Sequence, residues 1–146
     1  MKPQVPGSTQ ALQALFFYDS YFSMVLIIAT LVLLIFKLYN LGFPEGQFLI
    51  ELFFLALYAL LCYGRIKSGM KGNRIEAVND TLLMIFLSGF SIFCGFFFLT
   101  RQTYILVIEV ILHGIGIVFT GLEVVIGLFS MIIFSSLNRA AEKQNK

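Results

Sequence analysis

Five ionisable residues in or near otherwise apolar stretches are the side chains of this sequence best suited to chemistry. They are Asp19, Glu51, Glu109, His113 and Glu123. Glu109 and His113 are four residues apart, which on a helix places a carboxylate and an imidazole one turn apart on one face. Such a pair can supply two metal ligands, but a metal site needs further ligands that the sequence does not show.

Motifs for enzymatic chemistry are missing from the rest of the sequence. The chain has no HExxH motif and no glycine-rich phosphate loop, and its two cysteines, Cys62 and Cys94, are far apart. We therefore expect a protein that is not an enzyme, with no catalytic residues, no bound metal and no cofactor. No nucleic acid or small-molecule substrate is expected as a partner.

The composition indicates a membrane protein. Of the 146 residues, 59% are hydrophobic and 12% are charged, whereas a soluble domain carries roughly a quarter charged residues. Continuous apolar runs occur at 16–36, 48–63, 82–99 and 104–137, and about 20 residues suffice to cross a bilayer as a helix. Because the backbone must satisfy its own hydrogen bonds in lipid, these runs predict helices. The sequence thus predicts an all-α membrane protein, residues 1–146 forming one antiparallel bundle of four transmembrane helices.

The distribution of basic residues predicts the orientation of this bundle. One side of the predicted membrane carries Lys2, Arg65, Lys67, Lys71, Arg74, Arg139, Lys143 and Lys146, and the other carries only Lys37 and Arg101. Since cytoplasmic segments are enriched in lysine and arginine, eight residues against two place both termini and the second connection in the cytoplasm.

The second connection, predicted over residues 64–80, is the main candidate contact surface. Within it, Lys71-Gly72-Asn73 predicts a turn in which Gly72 or Asn73 takes a positive φ. The basic residues of the connection would then face anionic headgroups or partner proteins; they are Arg65, Lys67, Lys71 and Arg74. The alternative is that these charges only set the topology.

The fourth predicted helix carries a polar stripe, named here the α4 stripe. Its members are Glu109, His113, Gly116, Thr120, Glu123 and Gly127, which at 100° per residue fall within about 80° of arc. Small residues let helices approach closely, and polar residues form hydrogen bonds between helices. Three interpretations remain: packing inside the bundle, contact with partner subunits, or a path for protons or ions.

Two predictions concern how these charges are compensated. Glu51 and Glu109 lie near the side that carries Arg101, so pairing with Arg101 would offset the desolvation of a carboxylate; the alternative is that each carboxyl is protonated. Glu123 lies deeper, and the sequence offers it no evident cation. It is therefore the residue expected to need a partner from outside the chain.

The sequence also resembles a known family over nearly its whole length. The residues that carry the resemblance are Ser8-Thr9 before Leu12, Leu15-Phe16-Phe17, Tyr21-Phe22, Lys37 with Pro44, Arg65 followed by Gly69-Met70-Lys71-Gly72-Asn73, then Gln102-Thr103-Tyr104, Glu109-Val110-Ile111, Gly114, Phe119, Gly121 and Glu123. On these, the chain resembles the small tetraspan membrane proteins of the ciliary transition zone, the family associated with Meckel and Joubert syndromes. Members of that family carry an acidic residue one turn before the arginine, where this chain has Cys62, so Arg65 is expected to lack that intrahelical partner.

The resemblance implies a function that the residues alone do not. Proteins of this kind are subunits of a membrane complex at the ciliary base, which supports cilium assembly and restricts the entry of membrane proteins into the cilium. The implied partners are membrane lipid and other transition-zone membrane proteins, including those of the tectonic type. The alternative drawn from the residues is a small transporter or channel subunit that uses the acidic α4 stripe.

Overall fold

Four long helices make up the fold. The computed structural model describes residues 9–144, and the helices are α1 (Gln10–Asn40), α2 (Gln47–Ile75), α3 (Val78–Thr100) and α4 (Val107–Gln144). Each is long and apolar enough to cross a membrane, and no strand occurs among the described residues. The predicted all-α class with four membrane-spanning helices is confirmed. The orientation of the termini stays a prediction, and Lys2 and Lys146, which entered that prediction, lie outside the described residues.

The helices alternate in direction around a closed ring. Each helix packs against the next one in the chain, and α1 completes the ring by packing against α4. In the most apolar part of each helix only 28% to 33% of the residues are buried, and the exposed remainder is dominated by leucine, isoleucine, valine and phenylalanine. Such an outer surface is suited to lipid, so the interior is the place where polar groups find partners.

The helices differ from the predicted spans mainly at their ends. Helix α2 continues to Ile75, far past the predicted end at residue 63, and α4 begins at Val107 rather than at Tyr104. Tyr104 belongs instead to the short connection before α4, where its hydroxyl hydrogen is shared between the carbonyl oxygens of Leu41 and Gly42, at 3.2 Å and 3.0 Å.

The predicted turn at Lys71-Gly72-Asn73 is wrong, because these residues belong to α2. The chain reverses instead at Glu76, which takes a left-handed conformation (φ 53°) and donates its amide hydrogen to the carbonyl of Gly72. Gly72 serves close packing: a Cβ there would lie 2.7 Å from Thr81 Oγ1 and 2.8 Å from Thr81 N. A two-residue reversal brings the start of α3 so close to α2 that only glycine fits.

The packed interior contains two hydrophobic clusters. One is centred on Leu26, Tyr58 and Phe98, and the other on Phe16 and Met84. The Phe16 ring packs closely against α2 at Gly69, where a Cβ would come within 2.2 Å of Phe16 Cζ. Without a hydrophobic effect between helices in lipid, such close van der Waals packing is a main source of association.

Candidate functional site: a polar layer at each end of the bundle interior

All six residues of the α4 stripe are buried inside the bundle. Glu109, His113, Thr120 and Glu123 are each 1% exposed or less, and the two glycines admit neighbours from other helices. A Cβ on Gly116 would lie 3.2 Å from Leu26 Cδ1, and one on Gly127 would lie 2.6 Å from Met84 Cε. The stripe therefore faces α1, α2 and α3 of the same chain.

A charged triad joins three helices near the end where α1 begins and α4 ends, named here the basic end. Arg65 of α2 donates from Nη2 to Asp19 Oδ2 of α1 at 2.6 Å, and from Nη1 to Glu123 Oε2 of α4. All three side chains have no solvent exposure. A buried guanidinium that meets two carboxylates offsets the cost of burying all three charges.

The triad corrects two expectations drawn from the sequence. Glu123 does have a cation in this chain, and Arg65 is a buried residue of α2 rather than a loop contact. The missing acid one turn before Arg65 is replaced by acids from two other helices, while Cys62 at that position lies 3.7 Å from Ser91 Oγ. Glu123 Oε1 and Arg65 Nε have no hydrogen-bond partner among the described residues.

A second ion pair lies near the opposite end of the interior. Lys37 Nζ of α1 contacts Glu109 Oε2 at 2.5 Å, and both side chains are fully buried. Gln102 Nε2 donates to Glu109 Oε1 at 3.1 Å, and the amide of Leu106 donates to Glu109 Oε2 at 3.3 Å. Glu109 is thus held by a cation and two hydrogen-bond donors.

The expected outer ion pair of Glu51 with Arg101 does not form. Glu51 is buried, and its Oε1 accepts a hydrogen bond at 2.6 Å from the amide of Thr103. Arg101 follows the last residue of α3 and is exposed, while Lys37 occupies the interior at that level. The reason is geometric: Lys37 points along the α1 face that packs on α4, whereas Arg101 points away from the bundle.

His113 lies between the two charged layers, in an aromatic cage. Its ring stacks on Phe98 at 4.6 Å between ring centroids, with the edge of Tyr58 at 5.7 Å. Thr30 Oγ1 donates its single hydrogen to the carbonyl of Leu26 at 2.8 Å, so it can only accept from His113 Nε2 at 3.2 Å. This geometry favours the tautomer with its hydrogen on Nε2, and Nδ1 has no hydrogen-bond partner among the described residues.

The remaining predicted contact residues divide between surface and interior. Lys71 and Arg74 are exposed at the basic end, and Lys71 pairs with Asp80 at 3.1 Å. Asn73 is buried instead, and its side chain bonds both the amide and the carbonyl of Thr9 at 3.0 Å. Asn73 thereby ties the start of α1 to α2, and neither it nor Gly72 is accessible to a partner.

Helix geometry sets the depth of the two charged layers, which are the triad around Arg65 and the pair of Lys37 with Glu109. Glu109 and Glu123 are 14 residues apart (123 − 109) on α4, which corresponds to about 21 Å at 1.5 Å per residue. The hydrocarbon core is about 30 Å thick, so in a centred bundle each layer lies a few ångströms inside it. At that depth, charges without partners would be costly, and the observed pairing offsets part of that cost.

The arrangement is suited to holding the helices in register. Within residues 9–143, no group of three or more histidine, cysteine, aspartate or glutamate side chains could hold a metal. Glu109 and His113, the candidate ligand pair, have separate partners in Lys37 and Thr30. The role of Asp19 is not evident from the sequence, because an acid inside an apolar run indicates a buried cation but not which one.

Comparison with known proteins agrees with this architecture. Residues 14–120 match the model of the Transmemb_17 family, which is described as a predicted membrane protein. The chain is similar to transmembrane protein 216 of Mus musculus, at 26% identity over 132 residues that cover 90% of this chain and 94% of the relative. It is also similar to transmembrane protein 216 of Homo sapiens, at 25% identity over 130 residues (89% and 90%). Neither description refers to an enzyme.

No solved structure matches the chain. The family assignment therefore rests on the sequence match, which covers more than half of the chain, together with four helices suited to a bilayer. The chain belongs to this tetraspan membrane family, and it is similar over most of its length to transmembrane protein 216.

Proposed function

We propose that this protein is a non-catalytic membrane subunit of the ciliary transition-zone complex, located in the ciliary membrane at the transition zone. In this role it supports cilium assembly and the selective entry of membrane proteins. Two supports carry the proposal: the resemblance to the transition-zone tetraspan family, and the similarity to transmembrane protein 216 over about nine-tenths of the chain. Its proposed partners are membrane lipid and other transition-zone membrane proteins, including those of the tectonic type.

The pairing of the interior charges is the structural observation that favours a subunit over a transporter. A transporter or channel would need the α4 stripe to line water or a substrate path. Glu109 and Glu123 are instead fully buried and paired with Lys37 and Arg65. With these groups engaged internally, contact with other proteins is left to the apolar outer surface and to the exposed charges at the basic end.

Localisation in a ciliated cell tests the proposal most directly. A tagged copy is expected to concentrate in a narrow band at the ciliary base and to co-purify with tectonic-type proteins. Loss of the protein is expected to reduce cilium formation or to change which membrane proteins enter the cilium. A tagged copy spread evenly through the cell membrane, with normal cilia in its absence, would contradict the proposal.

The exposed basic residues of α2 provide a partner-specific variant. Lys71→Gln with Arg74→Gln is expected to lower recovery of the co-purified proteins, because both side chains are exposed at the basic end and neither belongs to the interior. Insertion into the membrane and folding should be unchanged. Unchanged recovery would mean that these two charges contribute only to topology.

A further inference from the structure

A groove at the basic end combines an apolar floor with two cations. It lies where the start of α3 meets the end of α4, and its volume is about 570 Å³. Its main lining residues are Val78, Met131, Ile132, Ser135, Arg139 and Lys143. The proposed function assigns no role to this groove.

The cations of the groove are aligned by helical spacing. Ser135, Arg139 and Lys143 follow one another at intervals of four residues on α4, so their side chains share one face. They span eight residues, which is about 12 Å of helix. Nearer the middle of α4 than these three residues, Ile132 is 64% exposed and continues the apolar outer surface of the bundle. The polar side chains of the groove therefore lie toward the end of α4 and the apolar ones toward its middle, which is the order of the headgroup and acyl chains of a phospholipid.

Three of the polar side chains that line the groove have no partner among the described residues. Arg139 and Lys143 are exposed, and neither has an ion-pair partner within the part of the chain that the structure describes. Ser135 is half-buried, and its hydroxyl makes no hydrogen bond to another described residue. Lys71, another basic side chain at this end of the bundle, is by contrast paired with Asp80.

We propose that this groove binds the phosphate headgroup of an anionic phospholipid, with an acyl chain on Met131, Ile132 and Val78. The Arg139 guanidinium presents a planar fork of donors that matches phosphate oxygens, Lys143 adds a second positive charge, and the Ser135 hydroxyl supplies a neutral donor. Basic pockets between transmembrane helices at the cytoplasmic side are suited to anionic headgroups. The choice of a lipid over a soluble phosphate rests on the apolar floor, which is continuous with the lipid-facing surface.

Two variants with equal charge change test the site. Arg139→Gln with Lys143→Gln removes the cations of the groove, and Lys71→Gln with Arg74→Gln removes two cations at the same end outside it. The full chain is purified in detergent, and binding of phosphatidylserine and phosphatidylcholine is measured by native mass spectrometry. The unmodified chain should prefer phosphatidylserine. The groove variant should lower its phosphatidylserine affinity by about 30-fold, and the control by less than about threefold.

Three outcomes would overturn the proposal. The first is that the unmodified chain shows no preference for phosphatidylserine. The second is that both variants lose the same amount of phosphatidylserine affinity, which would indicate a diffuse surface effect. The third is loss of a co-purified protein from the groove variant with its lipid preference intact, which would make the groove a protein contact. Thermal unfolding of both variants checks that they are folded. None of these outcomes depends on ciliary location, so the lipid site and the proposed function can fail separately.

Discussion

Replacement of Arg65 by methionine should be among the most damaging single changes in this protein. Arg65 is fully buried and forms ion pairs with two carboxylates, Asp19 and Glu123, on different helices. Methionine fills much of the same volume but leaves both acids in the interior without a cation. Breaking a buried ion pair by removing one partner costs about 3–5 kcal/mol. We expect the free energy of unfolding of Arg65→Met to fall by that amount.

The chain provides its own probe for this measurement. Its two cysteines, Cys62 and Cys94, are each 2% exposed and free. In detergent micelles titrated with a denaturing detergent, pulse labelling with a maleimide should therefore report only unfolded molecules. The control is Arg101→Met, which removes an exposed arginine and should change the free energy of unfolding by less than about 0.5 kcal/mol.

A triple variant separates charge from packing. Asp19→Leu, Arg65→Met and Glu123→Met together remove all three charges of the triad, so none of its members is left without a partner. Buried ion pairs replaced by apolar residues of similar volume are often neutral or stabilising, so the triple variant should be markedly more stable than Arg65→Met alone. Arg65→Met within about 1 kcal/mol of the unmodified chain, or a triple variant as unstable as the single one, would refute the reasoning.

The remaining predictions use the same labelling assay or a topology assay. Glu123→Leu should lower the free energy of unfolding clearly less than Arg65→Met does, because Arg65 keeps Asp19 as a partner. A larger loss would mean that Glu123 contributes more than Arg65 to the stability of the triad. Gly69→Ala should lower the free energy of unfolding by about 1–3 kcal/mol, since its Cβ would meet the Phe16 ring at 2.2 Å. Gly121→Ala should be nearly neutral, because a Cβ there would have no atom within 4 Å. Equal effects of the two changes would contradict the close packing at Gly69. A tag at the C-terminus should be accessible to protease only from the cytosol, and its glycosylation would reverse the predicted orientation.

The sequence by itself determined which segments are helices and what surrounds them. Long continuous apolar runs have only one way to satisfy their backbone in lipid, so the number and type of elements followed from composition and length. The spacing of the α4 stripe likewise predicted that Glu109, His113 and Glu123 share one face, because helical periodicity is a local property. The ends of α2 and α4 were less predictable, since polar residues can extend a helix beyond the membrane.

Only the tertiary structure decided which charge meets which. Arg65 contacts Asp19 and Glu123 across 46 and 58 residues of sequence, and Lys37 rather than Arg101 reaches Glu109 across 72 residues. Such pairs depend on the rotation and relative depth of helices, which are fixed where side chains meet glycines, as Phe16 meets Gly69. A sequence shows that a buried acid needs a cation. Which cation reaches it is decided by the packing of the helices, and this information is not local to any one of them.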